Sequence, residues 1–510
     1  MTGPVTGEVP GGRAAGDDVA LPSFARRPVL AVAAVMVMLE LAVASRYGIH
    51  RDELYFLASA RHLAWGYVDQ PPLVPAVAWV TLKLFGPSAF WLRALPALAG
   101  GAAVVVTALT ARQLGGAARA QTLAAVAVAA APQDLAGFHL LSTTAFDMFF
   151  WSVLGYLVTR LLLSGERRLW LAIGAVVGLA LLNKLNVGYL VVGVIAGMLT
   201  CRQWLLLRSG WLLGGAAVAA AIASPDVAWN VAHQWAQLAM LHSLHSENSG
   251  VGASFGFIPA QFIVMGPATA LVWLPGLRRL LSGPVGRPLG IAFLVLLVVY
   301  AVAGAKSYYL AGMYYPLFAA GGVWFEERLA GRRSAWMRHR IALVVAGAAL
   351  ALPLTLPVLP ESGLATGSWE GAVNKDLSAT VGWPDFVRQI ALTASRLPGT
   401  DRRRLVIYTG DYGAAGAIDL YGPGYGLPQA ISGHNSFWWW GPGRAPDDSA
   451  TIAVGLTRAY LLTLFRHVQA AGQVTTPGGV WTEERGAPIW ICTGQVESWA
   501  KAWPAARHYD

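Results

Sequence analysis

The chain has 510 residues, 55% of them hydrophobic and only 13% charged, with a formal net charge of +10. That composition is too apolar for a soluble protein and places the chain among polytopic membrane proteins. Residues 1–359 carry 25 Lys+Arg against 14 Asp+Glu and residues 360–510 carry 12 against 13, so the excess charge belongs to the apolar part and reads as a topology signal, not as a nucleic-acid footprint.

Residues 1–27 are polar and Gly-rich and end in Arg26-Arg27. The apolar run that follows lacks a small-residue cleavage site, so it reads as an uncleaved first span behind a cytoplasmic tail. A bilayer-spanning helix needs ~20 mostly apolar residues. The apolar runs predict about eleven, at roughly 28–47, 88–111, 117–133, 143–163, 169–183, 185–201, 210–226, 257–277, 288–305, 309–326 and 341–358. Every cytoplasmic loop of this count is basic, the Arg328, Arg332, Arg333, Arg338 and Arg340 cluster most of all. The outer loop from about 227 to 256 has no Lys or Arg, and Lys83, Arg93, Lys184 and Lys306 fall near the outer face. Cys201 and Cys492 lie on opposite sides, so no disulfide framework is implied.

Two segments depart from simple spans. Residues 53–64 and 72–85 are too short to cross and mixed in polarity, which predicts helices lying at the outer interface. The 170–201 stretch carries Asn183-Lys184-Leu185-Asn186 in its middle, which predicts a helix pair broken where the backbone lines a cavity. From about 360 to 510 the pattern changes to a small α/β domain outside the membrane, with strands at 405–408, 452–454 and 488–492 and helices at 385–397 and 457–471.

The chemistry-bearing residues gather on the outer side. His50-Arg51-Asp52-Glu53 follows the first span, and carboxylates beside hydrocarbon usually face a water-filled cavity. Asp52 and Glu53 are candidates for removing a proton from an attacking hydroxyl, against the alternative of a cap or an ion pair with Arg51. Gly66-Tyr67-Val68-Asp69-Gln70-Pro71-Pro72 adds a third acid on a rigid turn, with Tyr67 and Asp69 as candidate substrate contacts. Asp147 opens the fourth span as a second site acid or as a helix cap. Lys184 and Lys306 suit a phosphate, with snorkelling to headgroups as the alternative, which fits Lys306 better than Lys184. His242, His245 and Glu247 have a spacing compatible with a metal, but no further group completes the set, so a polar substrate loop is the preferred reading. Trp438-Trp439-Trp440 and Ser432-Gly433-His434-Asn435 suit either sugar stacking or an interfacial belt.

Asp52-Glu53 after span one, Gly66-Tyr67 through Pro71-Pro72-Leu73, Leu84-Phe85-Gly86 with Arg93-Ala94-Leu95-Pro96, Asp147, Asn183-Lys184, Pro225 to Asn230 with Trp235, and Lys306-Ser307-Tyr308-Tyr309 with Tyr315-Pro316 resemble, as an ordered set over residues 28–358, the GT-C superfamily of protein O-mannosyltransferases and lipid A aminoarabinose transferases. The resemblance implies an inverting transfer of a sugar from a polyprenyl-phosphate donor to a hydroxyl acceptor on a lipid, glycan or protein. It implies Asp52 as base, Glu53 as its neighbour, Asp147 as a second acid, and Lys184, with Lys306 more loosely, as phosphate contacts. Relatives often carry a basic residue where this chain has Gln70, and Lys83 or Arg93 is the expected substitute. The paired acids permit a divalent metal ion without requiring one. Residues 410–419 and 432–435 look like the periplasmic tail of some bacterial members, with no role to transfer. The competing reading is a secondary transporter binding ions at the same acids and lysines, against which stand the one-sided charges and the lack of a repeat.

Overall fold

The computed structural model describes residues 21–248, 251–328, 335–365 and 375–509, with the side chains of 244–255 and 335–336 also outside the description. The apolar part is a helical bundle: α1 (Arg26–Val43), α2 (Arg51–Arg61), α3 (Leu73–Phe85), α4 (Ala89–Gln113), α5 (Ala118–Ala130), α6 (Pro132–His139), α7 (Thr143–Ser164), α8 (Leu169–Leu181), α9 (Val187–Thr200), α10 (Trp204–Leu207), α11 (Gly210–Ala232), α12 (Ala236–Asn248), α13 (Val251–Val264), α14 (Pro267–Ser282), α15 (Arg287–Val302), a 3-10 turn (Ser307–Met313), α16 (Tyr314–Arg328) and α17 (Ala335–Thr355).

Each apolar run of the sequence falls mainly on helix, and large side chains such as Leu213, Val302 and Leu350 stay exposed, as lipid contact requires. Among the described residues α4, α7, α11 and most of α17 are each long and apolar enough to cross a membrane alone. Others are shorter because the chain breaks. The 257–277 run, expected as one span, is bent by 109° between α13 and α14. The cause is local: Gly266 takes φ +81°, and Pro267 opens the new helix. The outer loop expected at 227–256 is also largely helical, with α11 running to Ala232 and α12 following.

Small residues set how closely the helices approach, since lipid tails provide no hydrophobic drive between them. A Cβ on Gly174 of α8 would lie 2.0 Å from the Gly215 carbonyl of α11, so that crossing tolerates no side chain. The break between α8 and α9 falls at Asn183–Asn186, as expected, and Asn183 ties it to α7 by donating to the Thr143 carbonyl at 2.8 Å.

The C-terminal domain is a five-stranded mixed sheet, β1 (Val406–Thr409), β2 (Ala430–Ser432), β3 (Thr451–Val454), β4 (Phe465–Gln473) and β5 (Pro488–Gln495), in the order β2-β1-β3-β5-β4. The first three pair in parallel and the last two antiparallel. Helices α18 (Trp383–Ser395), α19 (Tyr412–Tyr421), α20 (Asn435–Trp440) and α21 (Arg458–Leu464) accompany it. The helix expected over 457–471 ends at Leu464 and becomes β4. That strand buries Phe465 and Val468, which lie three residues apart on its opposite faces, and leaves the positions between them exposed.

This domain sits directly on α2. A Cβ on Gly416 of α19 would lie 2.9 Å from the Leu54 backbone, and one on Gly413 would meet the Arg51 side chain at 2.2 Å. Gly416→Val should therefore strain the contact by ~1–3 kcal/mol, as overpacking does. Its expected signature is faster proteolytic release of the C-terminal domain in detergent, and an unchanged cleavage rate would contradict this docking.

Candidate active site

Helix α2 begins because His50 caps it. His50 Nδ1 accepts from Asp52 N at 3.0 Å, while the His50 backbone N–H donates to Glu53 Oε2 at 2.8 Å, a reciprocal capping box. Both acids thus stand in the first helical turn, where the helix dipole favours anions. Their fates then diverge.

Glu53 points into the bundle and is 0% exposed. Arg93 of α4 donates to both its oxygens, at 3.0 and 2.8 Å, and Leu141 N donates to Oε1 at 3.1 Å. Two further Arg93 donors go to the Ala44 and Gly48 carbonyls, each at 2.7 Å. This is a buried bidentate clamp, so the geometry corrects two expectations: Glu53 has no open position for chemistry, and Arg93, only 1% exposed, is sealed away from a substrate. Tyr67 is corrected likewise. It is 1% exposed, and its hydroxyl is spent on Ala64 N and the Ser59 and His62 carbonyls. Lys83 lies exposed near the end of α3 and does not line the cavity described below.

Asp52 faces the other way, and its side chain is 43% exposed. Tyr412 donates to its Oδ1 at 2.8 Å. Burial pulls the carboxyl upward, but His50, Arg51, the Tyr412 hydrogen bond and the charge of Lys306 together outweigh it and hold Asp52 below the usual aspartate range. It is therefore an ionised, water-accessible carboxylate.

Beside it lies a cavity of about 410 Å³. Its wall includes Asp69, Gln70, Lys184, Asn186, Tyr300, Lys306 and Tyr309, with Gln237 and Met240 of α12 closing one side. Asp69 accepts from Tyr55 at 2.7 Å, and burial pushes its carboxyl up to about 6 despite that bond. Lys184 reaches Thr144 Oγ1 at 3.4 Å and lies 4.6 Å from the Tyr309 ring, a cation–π contact that holds the ammonium over the cavity. Asn186 is the hub behind the wall. It donates to Asp147 Oδ2 at 2.8 Å and to the Tyr309 carbonyl at 3.2 Å, and accepts from Tyr300 at 2.6 Å. The Gln70 amide is buried with both its polar atoms free of protein partners among the described residues. It stands where a basic residue was expected and offers neutral hydrogen bonding instead.

The structure thus gathers Asp52, Asp69, Asp147, Lys184 and Lys306 on one side of the bundle. His242 is exposed on α12 and outside the cavity wall, and the His245 and Glu247 side chains lie outside the described residues. Among the described residues no three His, Cys, Asp or Glu side chains converge to hold a metal ion, and with Glu53 clamped by Arg93 the acidic pair does not fit one. Asn186, Tyr300, Gln237 and Tyr412 were missed in the sequence. Only Asn186 carried a signal, as the polar end of the helix break.

Residues 69–229, which hold Asp69, Gln70, Lys184 and Asn186 of this wall, match the family of dolichyl-phosphate-mannose-protein mannosyltransferases. No curated protein matches the chain in sequence. In fold, the chain is similar to ArnT from Cupriavidus metallidurans bound to undecaprenyl phosphate, with 18% identity over 91% of this chain and 97% of that one and a TM-score of 0.59. The apo state of the same protein gives 17%, 91%, 97% and 0.58. The arabinofuranosyltransferase AftD from Mycobacteria gives 15% identity over 92% of this chain and 40% of that one, with a TM-score of 0.50. With a capped acidic helix, a broken helix pair at a cavity holding two lysines and a sheet domain packed on the acidic helix, this chain has the GT-C glycosyltransferase fold and the apolar helices of a multi-pass membrane protein.

Proposed function

We propose that the protein transfers a sugar from a polyprenyl-phosphate donor to a hydroxyl acceptor at the outer face of the membrane. The observation that carries this reading is one ionised, half-exposed carboxylate, Asp52, beside a cavity lined by two lysines. Asp52 accepts the proton of the acceptor hydroxyl as its oxygen bonds to the sugar C1. The bond from C1 to the phosphate oxygen breaks on the opposite side, which inverts the anomeric centre. The electron pair leaves with the polyprenyl phosphate, whose charge Lys184 and Lys306 stabilise. Gln70 supplies neutral hydrogen bonds to the sugar or phosphate. No nucleotide is needed, because the leaving group is already phosphorylated.

The orientation follows from charge: the basic loops are cytoplasmic with the N-terminus, and the cavity and C-terminal domain face outward. ArnT crystallised with undecaprenyl phosphate supports the donor class, and the mannosyltransferase family match makes mannose the first sugar to try. The test supplies radiolabelled mannosyl phosphopolyprenol and envelope lipid and protein extracts to purified protein in vesicles. Label moving to an extract component supports transfer, whereas accumulation of solute inside vesicles without transfer would favour a transporter.

Lys184→Gln removes one charge-assisted phosphate contact. The donor KM is expected to rise about ten- to a hundredfold, read from initial rates at varied donor. An unchanged KM would remove Lys184 from the phosphate site.

A further inference from the structure

The helix of the proposed base is completed by residues more than three hundred positions away. Tyr412 donates to Asp52 Oδ1 at 2.8 Å, and its own hydroxyl oxygen accepts from Arg51 at 3.1 Å. The Arg51 guanidinium also lies 5.1 Å from the Tyr412 ring centre and pairs with Glu483. Because Arg51 occupies a lone pair of the phenol oxygen, the phenol proton is directed at Asp52. Oδ2 of Asp52 lies 4.0 Å from His50 Nδ1 and takes no hydrogen bond among the described residues. One carboxylate oxygen is fixed and the other is left for a substrate.

The fold puts Tyr412 there for a general reason. Strand β1 lies between β2 and β3, with its connection to β2 on one side and β3 on the other, so the crevice of this α/β sheet opens at the carboxyl end of β1. Asp411 caps α19 at that point by accepting from Ala414 N at 2.8 Å, and Tyr412 is the first helical residue. What fills the crevice is the α2 helix, admitted by Gly413 and Gly416. His434, after β2, backs the phenol ring at 4.8 Å.

We infer that Tyr412 is a positioning residue for the Asp52 carboxylate, so that the C-terminal domain is part of the catalytic apparatus and not an appendage. The inference rests on the reading of Asp52 as the base. The groups facing Asp52 are His50 and Arg51 at the start of its own helix, Tyr412 from α19, Lys306 from the segment before the 3-10 turn, Tyr308 in that turn, and Asp69 from the segment before α3. Of these, Tyr412 donates directly to the carboxylate oxygen.

The experiment compares wild type, Tyr412→Phe and Asp52→Asn as full-length proteins in the mannosyl phosphopolyprenol assay. Phenylalanine keeps the ring packing and removes the donor. The expected result is kcat down about tenfold or more with the donor KM within about twofold. The acid limb of the kcat–pH profile should also move up by about one unit, because a hydrogen bond to the charged carboxylate is lost. A purely structural tyrosine would not move that limb. If Tyr412→Phe does not fold, judged by its unfolding temperature, difluorotyrosine placed at position 412 keeps the ring and strengthens the donor, so the acid limb should move down, and an unmoved limb overturns the inference. Wild-type kcat and an unmoved limb, with Asp52→Asn inactive, overturn the inference and leave the base standing. Retained transfer in Asp52→Asn overturns the base and the inference together.

Discussion

Asp52→Asn is expected to lower sugar transfer by ~10²–10⁴-fold, the usual worth of a positioned general base, with the unfolding temperature and membrane insertion unchanged. The asparagine oxygen still accepts from Tyr412, so the local packing survives while the proton acceptor is lost. The loss should fall on kcat, because the lysines that hold the donor phosphate line the cavity and are untouched. Single-turnover transfer with saturating donor is the appropriate measurement. Activity within about tenfold of wild type would mean that the proton goes elsewhere, with Asp69 the next candidate because it lines the cavity and burial pushes its carboxyl up to about 6.

The second large effect is on stability. Arg93→Met removes the cation that pairs with Glu53 in a site that is 0% exposed, and breaking a buried pair in this way costs ~3–5 kcal/mol. The expected outcome is a steep drop in the yield of folded protein and in the unfolding temperature in detergent. Replacing both partners, as Glu53→Gln with Arg93→Met, should recover part of that loss, since no bare charge remains. An arginine that served the donor phosphate would behave differently, raising KM in a protein of normal stability. The two outcomes separate the clamp described here from the substrate role that the sequence suggested.

The contrast between Asp52 and Glu53 shows where the sequence was legible. Apolar run length and loop charge are local properties, and they located most of the helices, the short pair α2 and α3 among them, and the break at Asn183–Asn186. They also placed Lys184 and Asp147 on one side. What they could not carry was partner identity. Asp52 and Glu53 are adjacent and chemically alike, and only the Arg93 and Leu141 contacts, 40 and 88 residues away, decide that one is sealed and the other open. Tyr412 stood in a Gly-rich stretch with no assigned role, because its glycines make sense only with α2 lying against them. Strand β4 misled for a physical reason: this edge strand buries one residue on each face, Phe465 and Val468, three positions apart, and so imitates helical spacing. Bends were equally hidden, since the run over α13 and α14 is apolar on both sides of Gly266.

The clamp and the tyrosine contact set an order of events during synthesis. Helix α2 leaves the ribosome early, but its seat is incomplete until Arg93 and then Leu141 have been made, and its carboxylate is unsupported until Tyr412, 360 residues downstream, has folded against it. On the proposed chemistry, a half-made chain already embedded in the bilayer holds its base and its lysines but lacks the support that sets the base. Such a nascent chain can meet donor lipid yet turn it over only slowly, so waste of activated sugar during biogenesis is limited by the chain's own connectivity.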